Sequence, residues 1–97
     1  MKQDINLSNM GKSVSNRKFK RLCKKYLKPR VGKENIFFTN NYNIHECTFK
    51  FKGYEFNIEY SYNGFSVFPS IRCRKQIPYH HAKTIEDCCN YIFEYLA

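Results

Sequence analysis

From His45 to Tyr62 the chain alternates between apolar and polar residues on both sides of a short break, and a period of two presents distinct faces only on β-strands. His45, Cys47, Phe49 and Phe51 alternate with Glu46, Thr48, Lys50 and Lys52; Tyr54, Phe56, Ile58, Tyr60 and Tyr62 alternate with Glu55, Asn57, Glu59 and Ser61. Lys52-Gly53 separates the runs and Asn63-Gly64 follows the second, both of them hairpin signals. Taken literally, these turns set Phe49 opposite Phe56 and Tyr60 opposite Val67 on the apolar side, and Glu55 between Lys50 and Arg72 on the polar side. A third strand starts at Phe65 and meets Pro69, which lacks a ladder donor and implies an edge strand, a bulge or an early end.

Such a meander needs a layer over its apolar face, and the flanking segments supply one. Phe19, Leu22, Cys23, Tyr26 and Leu27 form a single helical stripe that Ser15 or Asn16 can cap and that Pro29 stops near Lys28. Residues 35–39 (NIFFT) form a short strand closed by the turn Asn40-Asn41-Tyr42-Asn43, and residues 78–81 are loop. Thr84 caps a final helix, with Asp87 three residues on and Glu86 beside it at the positive end; Ile85, Cys88, Cys89, Ile92 and Leu96 make its buried stripe. The expected fold is α+β: an N-terminal basic helix and a C-terminal helix packed on a three- to four-stranded antiparallel β meander, in the order α-β-β-β-β-α. A single domain spans residues 14–97, preceded by a flexible basic arm, residues 1–13, which is polar and aperiodic. A 97-residue chain buries only roughly 60 to 65% of its unfolded surface, so nine Phe and eight Tyr must pack efficiently.

Charge is concentrated at one end. Residues 1–33 hold eleven of the seventeen Lys and Arg residues against the single acid Asp4, whereas the remaining residues are close to neutral. Arg17, Lys18, Lys20, Arg21, Lys24, Lys25 and Lys28 surround the helical stripe with no acid among them, and Arg30 follows. Arg17/Arg21, Lys20/Lys24, Arg21/Lys25 and Lys24/Lys28 are like-charge pairs at i, i+4, each destabilising by a few tenths of a kcal/mol. Arg17 and Lys18 also oppose the helix dipole. A helix that only filled a structural role would more often mix in acids, so this self-repulsion points to a bound polyanion. The competing explanation is a solvated face that keeps the protein in solution. Membrane surface is disfavoured because the sheet consumes the apolar stripe.

Other constellations are weaker. Arg72, Arg74 and Lys75 form a second basic cluster, and Phe68 falls among Ser66, Ser70 and Asn57 as a stacking platform, a partner contact or a ring covered by the chain's own loop. Tyr79-His80-His81 near that cluster offers the acid/base groups of a small toxin-like ribonuclease, but nothing marks an activated nucleophile. Five cysteines without metal-ligand spacing suit buried, reduced thiols, so no cofactor or metal is expected. The longest apolar runs fall far short of the ~20 residues of a membrane span, and no signal-peptide core is present, so a cytoplasmic location is expected. Asn, Ile, Lys, Tyr and Phe make up 47 of 97 residues. AT-rich codons produce this bias, as in a low-GC bacterium or its phage.

The helix, meander, helix order resembles the double-stranded RNA-binding domain, whose second helix opens with a Lys-Lys-x-Ala-Lys run that meets phosphates. The corresponding stretch here is Tyr79-His80-His81-Ala82-Lys83, where only Ala82 and Lys83 fit; Ile85, Glu86 and Asp87 replace the small alanines, and residues 35–39 add a strand. The resemblance is one of topology, and membership is not inferred from it. The expected function is non-catalytic binding of nucleic acid, RNA or single-stranded, through the cationic helix, with a nucleoprotein complex or an acidic host protein surface as the other partners the charge admits. The alternatives are a phage-encoded, anti-CRISPR-like inhibitor acting in the host cytoplasm by protein contact and, third, the ribonuclease.

Overall fold

Ser15 opens the first helix: its backbone is extended and its side chain accepts the Lys18 N–H at 3.1 Å, pairing a donor that a helix start otherwise leaves free. In this computed structural model residues 14–39, 45–61, 64–71, 73 and 77–97 are described. The expected arm (1–13), the Asn40-Asn41-Tyr42-Asn43 turn, and Arg72, Arg74 and Lys75 lie outside them. Helix α1 (Asn16–Val31) buries Phe19, Cys23 and Leu27, with Leu22 and Tyr26 half-buried alongside. It overruns the stop expected at Lys28. Pro29 sits in the last turn, where it forfeits a single backbone bond, and the Gly32 N–H closes the helix on the Lys28 carbonyl at 3.0 Å.

A 3-10 turn (Lys33–Asn35) leads into β1 (Ile36–Phe38), followed by β2 (Glu46–Phe51), β3 (Tyr54–Ser61), β4 (Gly64–Pro69), β5 (His80–Ala82) and α2 (Ile85–Tyr95). The strands form one antiparallel sheet in the order β1-β2-β3-β4-β5. The fold is α+β with both helices against one face, as expected, and with one strand more than the sequence indicated. That strand is β5, where a loop was expected. His80 and His81 have weak strand propensity, and it is pairing of Phe65, Ser66 and Val67 with Ala82, His81 and His80 that makes the segment extended. β4 is therefore an inner strand, and Pro69 marks its early end.

Lys52 and Gly53, both at positive φ (53° and 85°), form the β2–β3 turn, and Phe49 faces Phe56 as the alternation requires. The β3–β4 register departs from expectation: Tyr60 pairs with Phe65, Ile58 with Val67, and Ser61 with Gly64. Glu55 meets Ser70, whose hydroxyl donates to it at 2.8 Å, in place of the expected Arg72. A shift of two residues keeps every side chain on its expected face. Gly64 explains the shift. It lies in the strand, where a Cβ would collide with the Ala82 carbonyl oxygen, so its missing side chain admits β5 and does not shape a turn.

The core lies between the helices and the inner sheet face. Phe19, Phe49 and Phe56 are fully buried, each contributing roughly 1.5 to 3 kcal/mol relative to exposure. Phe93, outside the expected stripe of α2, is buried too, edge-on to Phe51 at 4.9 Å. Thr84 caps α2 as expected by accepting the Asp87 N–H at 3.1 Å.

Candidate nucleic-acid interface

Because Phe19, Cys23 and Leu27 fix one side of α1 against the sheet, the helical repeat turns Arg17, Lys18, Arg21, Lys24, Lys25 and Lys28 outward, and all six are exposed. At about 1.5 Å of rise per residue they span roughly 16 Å, or about one cation every 3 Å. One nucleic-acid strand carries its charges at a similar interval of about 3.4 Å. Lys20 is half-buried on the β1 flank, its ammonium 5.7 Å from the Phe38 centroid, and that of Lys24 lies 5.9 Å away. Asn16, Arg17, Lys20, Arg21 and Lys24 border a shallow depression of about 490 Å³. Arg30 stands apart: its guanidinium lies over Phe93 at 4.3 Å and near Phe51 at 5.9 Å, so it ties α1 to α2.

Phe68 is half-buried on the open sheet face, with the Tyr79 ring nearly parallel at 5.9 Å. Tyr79 is anchored in turn, its hydroxyl 2.6 Å from Ser66 Oγ, which also lies 2.9 Å from His81 Nδ1. His80 and His81, neighbours in an extended strand, point to opposite faces; His80 stacks on Tyr91 at 4.2 Å among the helices. They do not form a joint acid/base pair. His45 is half-buried as expected, bonding the Val14 carbonyl at 3.0 Å and stacking on Tyr60.

The open face carries charge of the opposite sign. Glu46, Glu55 and Glu59 stand there with Lys50, away from α1. Burial pushes the Glu59 carboxyl above the ordinary range, and the like charge of Glu46, directly opposite on the neighbouring strand, pushes the same way. Phe37, about half exposed, and Ile71, almost wholly exposed, line a depression of about 400 Å³ with Glu46 and Glu55.

Cys23, Cys47, Cys88 and Cys89 are buried and Cys73 half-buried, all as free thiols. Burial raises the first and last two, Cys88 to about 12, so they stay protonated and unreactive at neutral pH. Among the described residues no cluster of His, Cys, Asp or Glu could hold a metal ion, and no helix is long and apolar enough to cross a membrane.

Sequence reasoning missed the split of the histidines, the acidic open face as a unit, and Lys83 as a member of the basic surface. Lys83 is isolated in the chain, apart from its match in the topological resemblance. The β4–β5 pairing brings it beside α1, where it lines a groove with Lys18. A single lysine carries no local signal of that kind. Compared with known protein families, curated proteins and solved structures, the chain matches none, so its function must be argued from its own residues.

Proposed function

We propose that this protein binds nucleic acid, RNA or single-stranded, through the outward face of α1, without catalysis. The observation that carries the reading is the row of six exposed cations on a helix that has no acid of its own. Their mutual repulsion destabilises the free protein slightly, and neutralising phosphates with release of counterions more than offsets it. Separation of His80 and His81 onto opposite sheet faces favours binding over acid/base chemistry.

The test replaces Arg17, Arg21, Lys25 and Lys28 by Gln. Of these four only Lys25 lies over a ring, that of half-buried Tyr26, and none is itself buried, so the melting temperature should stay level or rise slightly, while affinity for a single-stranded oligonucleotide falls by about tenfold or more at moderate salt. A lower melting temperature with unchanged binding would make the patch structural. A second reading, a phage-encoded inhibitor docking on a host enzyme or defence nucleoprotein, draws on the opposite face, where exposed Phe37 and Ile71 adjoin Glu46 and Glu55. Complete lack of binding to free RNA and DNA at low salt would favour it.

A further inference from the structure

We infer that the groove between α1 and the start of α2 seats one unstacked, amino-bearing base of a single-stranded nucleic acid, with Lys18 and Lys83 holding the flanking phosphates. This rests on the reading of α1 as a nucleic-acid surface and adds where a base goes. The groove encloses about 350 Å³, at the small end of the range of about 300 to 1,000 Å³ typical of ligand sites. Its apolar lining comes chiefly from Leu22, Tyr26 and Phe65, and its cations from Lys18 on α1 and Lys83 before α2. Lys25 adds a third cation at the edge, its ammonium 5.2 Å from the Tyr26 centroid.

Apolar and aromatic walls between cations suit a base with its backbone, because every base has a face to bury and a phosphate on each side. An apolar protein side chain would fill the walls and leave the lysines uncompensated. A duplex keeps its bases stacked inside and cannot fill the groove. Glu86 also lines it. A carboxylate there repels phosphate but accepts a hydrogen bond from the exocyclic amine of cytosine or adenine, which thymine and uracil lack.

The test titrates the full chain with oligodeoxycytidine, an abasic strand of equal length, and oligothymidine at several salt concentrations. The wild-type protein should bind oligodeoxycytidine about five- to a hundredfold more tightly than the abasic strand. Tyr26→Leu, which keeps the site apolar, should erase most of that difference. Lys83→Gln should reduce the salt slope by about 0.7. Glu86→Ala should narrow the preference for cytosine over thymine. Equal affinity of the wild-type protein for normal and abasic strands would overturn the base seat while leaving α1 as the binding surface. Absence of binding to every strand at low salt would overturn both.

Discussion

Glu59 and Glu46 face each other on adjacent strands, where like charges destabilise a sheet. Burial is the larger reason that the Glu59 carboxyl is raised above its reference value of 4.5, and Glu46 adds to it. A carboxyl that binds its proton more tightly in the folded state contributes stability at low pH and loses it as pH rises through the folded value. At neutral pH, then, ionised Glu59 opposes folding. Glu59→Gln should raise the melting temperature by a few degrees at pH 7, and the gain should vanish below the reference value, where both side chains are neutral. Thermal melts of the two proteins across that range check it; a gain that persists at low pH would assign the effect to packing. The sequence displayed the two acids on one face, because alternation determines the face. Their opposition followed from the Lys52-Gly53 turn, whose register proved correct.

The elements show where such reasoning stops. Periodicity located α1, β2, β3 and α2, because an amphipathic stripe or an alternating run is repeated many times over. Single punctuating residues were less informative. Pro29 falls in a last turn, where one lost bond does not end a helix, and Gly64 serves a close approach instead of the turn its dipeptide suggests. β5 was invisible because three residues of modest propensity become a strand only through the neighbour they pair with. The candidate site divided in the same way: the outward row of α1 could be read from spacing, whereas Lys83 joined it only through long-range pairing. The Gly64 argument has its own test. Gly64→Ala should push β5 off β4 and destabilise the protein by about 1 to 3 kcal/mol. At about 4 to 8 °C per kcal/mol for a domain of this size, the loss is easily read in a thermal melt. Hydrogen exchange should accelerate in β5 before β2 and β3. A variant with unchanged stability would show that the β4–β5 approach is slack.

At the scale of the molecule, α1 turns its cations outward on one side, α2 carries the exposed acids Glu86, Asp87 and Glu94, and among the described residues the open sheet face presents Glu46, Glu55 and Glu59. A polyanion approaching such a charge distribution would be drawn to α1 and repelled from the sheet face. This steering matters at long range only when salt is low, since the screening length is about 10 Å at 0.1 M and about 30 Å at 0.01 M. If the six outward cations of α1 each neutralise one phosphate, log K should fall against log salt with a slope of about −4 on single strands and about −5 on duplex. Replacing Glu46 and Glu55 by Gln should tighten binding at the lowest salt and leave it almost unchanged near physiological salt. Fluorescence anisotropy with labelled strands over a salt series measures both effects. A slope near zero, or an effect of the two glutamates that survives at high salt, would place the contact on the sheet face and move the binding surface away from α1.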